Sequence, residues 1–503
     1  MSNLLSKNDY IDIAAKIQFP TDPFINGRFQ KSKAGKVMES INPATGSVIT
    51  NISACDDSDV NYAVKVSRDA FNSGEWANKH PSERKSVLLK LAQLIEENKT
   101  ELAVLESLES GKPISECEIT DLPETIVTIQ WHAEAIDKMY DQISPANVDA
   151  VGLITREPLG VVGCVLPWNF PLMMLAWKIA PALAGGNSVI VKPAEQTSMT
   201  ALRVAELATE AGIPKGVLNV LPGEGPDVGE PMGRHLDIDA ISFTGSTEVG
   251  RLFLEFSGQS NLKKIILECG GKNPAVVLSD ANNLDGVAEH VVYAALWNMG
   301  QNCTANSRLI VHKSLKDTLL EKVIEKMADW RTGDPLDPSN QLGAIISREQ
   351  YDKILGYIEI AKEQGAVLVK GGNAIESGKG MFIEPTLFTN VTPEMIIAQE
   401  EIFGPVFAMM VVDSDEKAIQ LANETSYGLQ ASLFTSSVTK AHKYGRALQA
   451  GTVSVNCYGE GDISTPFGGY KLSGFGGRDN SLMAHDQYTE TKTLWIDISE
   501  NIE

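Results

Sequence analysis

The chain has 503 residues, 43% of them hydrophobic and 42 of them glycine, which suits two or more compact α/β domains and argues against disorder. Its formal charge of −22 argues against nucleic acid or an anionic membrane as partner. No run of about 18 apolar residues appears, so no membrane span is expected, and Met1–Lys7 offers no secretion signal. The expected compartment is the cytosol, where Cys55, Cys117, Cys164, Cys269, Cys303 and Cys457 stay free thiols. No Cys-x-x-Cys or His-x-x-x-His pair is present, and no metal is expected.

Residues up to about 55 read as a polar arm and a short antiparallel piece, with Asn26-Gly27 as a hairpin turn. Val60, Ala63, Val64, Ser67 and Phe71 keep a helical spacing, as do Val87, Leu88, Leu91, Leu94 and Ile95. Gly111 and Pro113 end a third helix, and residues 115–140 read as one longer helix containing Asp121, Glu124, Trp131 and His132. Asp141–Pro158 alternates like a β-hairpin that leaves the domain body, and Thr489–Ile498 is a candidate to pair with it. Val161–Leu166, Ser188–Val191, Val217–Leu221, Ala240–Phe243 and Lys264–Leu267 are short apolar strands separated by helical or turn segments. Such a pattern implies a parallel sheet covered on both faces. A second alternating set runs from Pro274 to about Asn456 and includes Ala275–Leu278 and Gly451–Val455.

Three stretches put reactive side chains at the ends of such elements. Pro167-Trp-Asn-Phe-Pro171 presents Asn169 directly after a strand, and Leu267-Glu-Cys-Gly-Gly-Lys272 presents Glu268 at the end of another. Met299-Gly-Gln-Asn-Cys-Thr-Ala-Asn306 sets Cys303 in a loop between the helix-like Leu284–Trp297 and the strand-like Arg308–Val311. Taken singly, the cysteine is an inert hydrophobe, Asn169 a helix cap and Glu268 an ordinary strand-end carboxylate. Taken together they are the nucleophile, base and oxyanion donor of acyl chemistry. In these stretches and their order, the chain resembles the NAD(P)-dependent aldehyde dehydrogenase superfamily from about Phe24 to Trp495. Within it, the closest subgroup is the bacterial ω-aminoaldehyde enzymes, of the γ-glutamyl-γ-aminobutyraldehyde type.

The resemblance implies an α/β fold with three parts: a Rossmann-type NAD-binding domain (residues 1–140 and 159–270), a second α/β catalytic domain (271–480), and a β-hairpin oligomerisation arm (141–158 and 481–503). It also implies a homo-oligomer, dimer or tetramer, because in the family such strands bridge subunits. Two glycine patterns compete for the dinucleotide phosphates. Gly223-Glu-Gly-Pro-Asp-Val-Gly229 is a loosened G-x-G-x-x-G, and Phe243-Thr-Gly-Ser-Thr-Glu-Val-Gly250 places Ser246 where a helix starts. Ordinary N-capping by Ser246 or Thr247 explains the second equally well from the residues alone. The resemblance assigns the pyrophosphate to Gly245 and Ser246, with Gly225 nearer the adenine. Lys192 and Glu195 lie beyond a strand, where they suit the two ribose hydroxyls and disfavour a 2′-phosphate, so NAD is expected over NADP. A surface ion pair is the bland alternative. By resemblance, Leu166, Trp168 and Gly270 join the cofactor set, and Glu401 and Phe403 hold the nicotinamide ribose and ring.

No histidine is placed by motif to activate Cys303, so activation is expected from a water shared with Glu268, from Lys178 and from the oxidised nicotinamide. The thiolate attacks an aldehyde, Asn169 and the Cys303 N–H hold the alkoxide, and Glu268 drives hydrolysis of the thioester. Gly270 and Gly271 are expected to leave room for the nicotinamide to move aside. Asp121 and Glu124 match acidic residues by which related enzymes hold a substrate ammonium; solvated carboxylates are the alternative. Met173, Met174, Trp177 and Phe467 would wall an apolar tunnel, which equally admits an aromatic aldehyde such as indole-acetaldehyde.

Other classes fit less well. A structural protein such as the lens crystallins of this superfamily would show a degraded core, whereas Cys303, Glu268, Asn169, Lys192 and Glu195 are all retained. A cysteine acyltransferase or hydrolase would not need Lys192, Glu195 or Glu401, and the CoA-acylating branch typically lacks the glutamate. The chain departs from the family at Cys269, at the lengthened Gly476-Gly477 turn before Asp479, and at Asn302 and Thr304 beside the nucleophile.

Overall fold

The computed structural model describes residues 4–33 and 35–499. Met1–Asn3, in the stretch read for a secretion signal, and residues 500–503 of the expected arm lie outside the described residues. Among the described residues, no helix is long and apolar enough to cross a membrane.

Apolar runs of three to five residues, buried throughout or nearly so, build the first sheet. Leu218–Val220, Ser188–Lys192, Val161–Val165, Ala240–Thr244 and Lys264–Glu268 lie side by side and parallel in that order. Chain order reverses at Val161–Val165, which leaves a crevice beyond the carboxyl ends of the strands where a ligand is expected. Phe24–Ile25 extends one edge through Val220, its turn made by Asn26 and Gly27 at φ 57° and 75°. Gly474–Phe475 extends the other edge beside Leu267 and Glu268, so this piece of the expected second unit belongs to the first sheet.

The second sheet runs Val367–Lys370, Thr386–Thr389, Val406–Val412, Arg308–His312, Pro274–Val277, Gln430–Phe434, Thr452–Val455, parallel except at its first pair. Arg308 sits inside it, 1% exposed, its guanidinium donating to the carbonyls of Lys272, Leu421 and Ala422. Those bonds satisfy a buried charge that would otherwise be costly. The third sheet is the arm: Thr489–Asp497 pairs antiparallel with Ala150–Pro158, and Gln142–Ser144 takes that strand's other side. Leu494, Trp495 and Ile496 on it are exposed.

Two local expectations fail. The polar arm contains a helix, Lys7–Ala14, capped by Ser6 and buried through Tyr10. The single helix over 115–140 is four pieces: Ile114–Glu116, a π-helical turn at Cys117–Asp121, Leu122–Ala135 and a 3₁₀ turn at Ile136–Lys138. Pro123 has no N–H to return to the previous turn, and the Leu122 N–H bonds instead to the Cys117 carbonyl, five residues back. That slip turns Asp121 into the protein while Glu124 stays at the surface.

Candidate active site

Loops from both large sheets line one cavity of about 250 Å³. The first sheet contributes Trp168, Asn169, Gly245, Ser246, Glu268 and Gly270 from beyond its strands, and the second brings Cys303, Glu401 and Phe403. Met173, Trp177 and Phe467 complete the wall.

Amide side chains shape the loop that carries Cys303. After the helix Leu284–Leu296, Asn298 and Met299 take φ of 53° and 56°, and Asn298 Nδ2 donates to the carbonyls of Asn169 at 2.9 Å and Gln301 at 3.0 Å. Asn169 Nδ2 in turn donates to the Gln301 carbonyl at 3.1 Å, and Asn273 Nδ2 to the Cys303 carbonyl at 2.7 Å. One N–H of Asn169 is therefore spent on orientation, and the second is left for a ligand. Burial first, and then Glu460, Glu401 and Glu268, push the Cys303 thiol well above its ordinary pKa, while its own backbone N–H pulls it down. These surroundings favour the thiol over the thiolate.

Glu268 is 3% exposed, and neither carboxylate oxygen meets a donor at hydrogen-bonding geometry, although the Gly469 N–H lies near enough to draw its pKa down. Burial raises its pKa well above the usual range, Asp479 adds to the rise, and Lys178 and Arg478 oppose it. Lys178 is itself fully buried, with Nζ 2.6 Å from Asp479 Oδ2. It does not line the cavity, and its charge acts on Glu268, so the expected role of Lys178 at the thiol is corrected. Asp479, which does line the cavity, also accepts from Gln487 Nε2 at 3.0 Å. The lengthened Gly476-Gly477 turn thus still delivers a carboxylate to Lys178.

At the far end of the cavity, the helix Thr247–Gly258 begins beside Gly245 with Ser246 as its cap, accepting from the Val249 N–H at 3.3 Å. Capping and an anion site coexist there, since the other first-turn N–H groups have no intrahelical partner. Trp168 and Phe403 meet edge to face, ring centroids 5.2 Å apart. Glu401 Oε1 accepts the Gly271 N–H at 2.8 Å, and burial lifts its pKa to about 7. A Cβ on Gly270 would stand 2.0 Å from Glu401 Oε2, and one on Gly271 would stand 2.7 Å from the Cys303 carbonyl oxygen. These glycines permit close approach of side chain and backbone.

Leu166, Lys192, Glu195 and Gly225 do not line this cavity. Leu166 N–H bonds the Lys192 carbonyl at 3.0 Å across adjacent strand ends. Lys192 Nζ, pulled below its usual pKa by burial, lies 3.3 Å from the half-exposed Glu195 carboxylate. Gly225 opens the turn Gly225–Gly229, whose last glycine stands against the Lys192 side chain. Phosphate donors at a helix start, a lysine–carboxylate pair and a second fixed carboxylate fit a dinucleotide laid across the strand ends.

A second cavity of about 300 Å³ opens beside the first and shares Met173, Trp177 and Glu460 with it. Tyr293, Trp297 and Tyr458 supply rings, and Glu124 and Asp462 stand at its mouth. Asp121 is absent from both cavities: 1% exposed, it forms a buried ion pair with Lys112, which also donates to the Asn169 carbonyl at 3.3 Å. Asp121, expected among the substrate residues, therefore faces neither cavity, whereas Glu460 lines both. Nothing in the sequence separated Glu460, between two glycines, from a solvated loop carboxylate.

The profile of the aldehyde dehydrogenase family matches residues 29–494. The chain is 55% identical to an aminoacetaldehyde dehydrogenase of Pseudomonas aeruginosa over 99% of its length and 100% of that protein's. It superposes with a TM-score of 0.97 and 46% identity on a gamma-glutamyl-gamma-aminobutyraldehyde dehydrogenase from Burkholderia cenocepacia, covering 98% of this chain and 100% of that one. An indole-3-acetaldehyde dehydrogenase of P. syringae, solved in complex with NAD⁺, matches at 0.97 and 45% with the same coverage.

Two outcomes follow from these surroundings. Asp121→Asn, which takes from the buried Lys112 its nearest carboxylate and leaves it Glu106 at 4.0 Å, should cost about 3 kcal/mol of stability in denaturant unfolding and leave aldehyde selectivity as it was; a stable protein with altered selectivity would restore Asp121 to the substrate site. In the absence of cofactor, alkylation of Cys303 by iodoacetamide, followed by peptide mass spectrometry, should climb steadily to pH 9 because its thiol lies above the ordinary value. A plateau below pH 8 would contradict the environment described.

Proposed function

The chain belongs to the aldehyde dehydrogenase family and oxidises an aldehyde with NAD; from that premise we propose that Cys303, Glu268 and Asn169 convert an ω-aminoaldehyde to its acid. The observation that carries the mechanism is the buried carboxylate of Glu268 on the same cavity as the Cys303 thiol. A base with a raised pKa accepts a proton near neutral pH.

Cys303 gives up its proton to water in the cavity, which carries it to solvent, and its sulfur bonds to the aldehyde carbon. The negative charge that develops on oxygen meets the free N–H of Asn169 and the Cys303 backbone N–H, donors each worth about 2.7–4 kcal/mol in comparable sites. When bound, NAD⁺ supplies the hydride acceptor, which turns the adduct into a thioester on Cys303. Glu268 then takes a proton from water, whose oxygen attacks the thioester carbon; the C–S bond breaks, releasing the acid and the thiol. Lys178 and Asp479 hold the charge balance behind Glu268, so that its proton has an ionised pair to work against. Lys192 and Glu195 hold the adenosine ribose, with Glu195 disfavouring a 2′-phosphate, and Glu401 holds the nicotinamide ribose.

The substrate reading rests on the second cavity. Glu460, Glu124 and Asp462 line an aromatic passage that leads to Cys303, a setting suited to a terminal ammonium by charge and by cation–π contact. The likeness to the aminoacetaldehyde and gamma-glutamyl-gamma-aminobutyraldehyde enzymes supports it. The rings of Trp177, Trp297 and Phe467 favour a second reading, an indole-acetaldehyde type substrate, in line with the P. syringae enzyme. The free edge and exposed Leu494, Trp495 and Ile496 of the arm support a homo-oligomer.

With aldehydes compared by NADH formation, kcat/KM for 4-aminobutanal should exceed that for pentanal at least about tenfold, the worth of one charged hydrogen bond. Glu124→Gln combined with Glu460→Gln should erase that difference. Equal values in the wild-type enzyme, or a preference for indole-3-acetaldehyde that survives both substitutions, would sink the ammonium reading.

A further inference from the structure

The residues on either side of Cys303 enter a chain of hydrogen bonds that ends in the substrate passage. Asn302 Nδ2 donates to the Tyr458 hydroxyl at 2.8 Å, the Tyr458 and Thr304 hydroxyls lie 2.7 Å apart, and Thr304 Oγ1 donates to Glu460 Oε1 at 2.6 Å. Thr304 Oγ1 carries one proton and has three acceptors within reach, Glu460 Oε1, the Tyr458 hydroxyl and Asn302 Oδ1 at 3.0 Å; the carboxylate is the strongest of them, and with that proton given to it the Tyr458 proton goes to Thr304. Asn302 Oδ1 then accepts the Thr304 backbone N–H at 3.0 Å, which closes the turn that carries the nucleophile.

Glu460 thus has one oxygen held, while its Oε2 has no partner among the described residues, and its side chain lines both cavities. Burial raises its pKa, the Thr304 bond draws it back, and Glu124 raises it further. Around it stand Tyr293, stacked on Trp297 at 5.9 Å, and Tyr458, 6.5 Å from the same ring. Trp177, which lines both cavities, is 5% exposed, and its indole N–H has no protein partner.

We propose that the Thr304 hydroxyl and the Tyr458 phenol determine specificity by holding the Glu460 carboxylate in the passage wall as the ligand of the substrate's terminal ammonium. Because Asn302 and Thr304 flank Cys303, the same chain sets the distance between that ammonium and the reacting carbon. Aldehydes with the amine at a matching reach are selected, and those without it gain nothing from the arrangement. The inference rests on the ω-aminoaldehyde reading and goes beyond it by naming the residues that hold the carboxylate.

The test compares kcat/KM for 4-aminobutanal and pentanal in Thr304→Val, Tyr458→Phe and Glu460→Gln, singly and combined. Thr304→Val keeps the side-chain shape and should lower the ratio of the two about tenfold, while pentanal changes less than about threefold. Tyr458→Phe should lower the ratio by a smaller factor, and it decides the matter alone if Thr304→Val does not fold. In the Glu460→Gln background neither substitution should change the ratio further, because the residues act as one unit. A wild-type preference untouched by either variant, an equal loss on both aldehydes, or a full effect persisting without Glu460 would overturn the inference by itself. A wild-type enzyme with no preference would overturn the substrate reading and this inference with it.

Discussion

The site depends on a reciprocal pair of amide bonds between the two large sheets. Asn169, beyond a strand of the first, donates to the Gln301 carbonyl, and Asn298, in the nucleophile loop of the second, donates back to the Asn169 carbonyl. Asn169 and the loop of Cys303 are thereby held in fixed register although 134 positions separate them in sequence, from 169 to 303. Such side-chain to backbone bonds are worth about 1 kcal/mol each. Their larger effect is on geometry, since a misplacement of about 1 Å can cost a hundredfold in rate.

Around that register, the charge distribution is arranged against spontaneous reactivity. Burial first, and then the three carboxylates Glu460, Glu401 and Glu268, raise the pKa of the Cys303 thiol and disfavour the thiolate. Glu268 is kept close to its proton by the same burial, with the Lys178–Asp479 pair opposing and assisting at its back. Glu401, at about pKa 7, belongs to the same low-dielectric floor but is tied to the Gly271 N–H, a bond suited to holding a ribose rather than moving protons.

Much of this was legible in the residues. The five strands from Val161 to Glu268 appear within about one residue of where apolar runs of period-free burial placed them, and Thr489–Asp497 does pair with Ala150–Pro158. What failed did so for local reasons. Pro123 and the π turn before it broke a helix whose side-chain spacing looked continuous, and that slip carried Asp121 from the expected substrate face onto Lys112. Lys178 was identified, but its partner lay 301 positions away at Asp479, and pairing at that distance has no sequence signal. Tyr458 and Glu460 lie more than 150 positions from Thr304, and only the fold brings them against it.

The central claim, that acylation and hydrolysis share Cys303 but divide at Glu268, is tested most directly by intact-protein and peptide mass spectrometry of Glu268→Gln after mixing with NAD⁺ and 4-aminobutanal. The account predicts a rapid formation of about one NADH per site, followed by a stall with the acyl group mapped to Cys303. Steady turnover with no adduct, or an adduct on another residue, would contradict it.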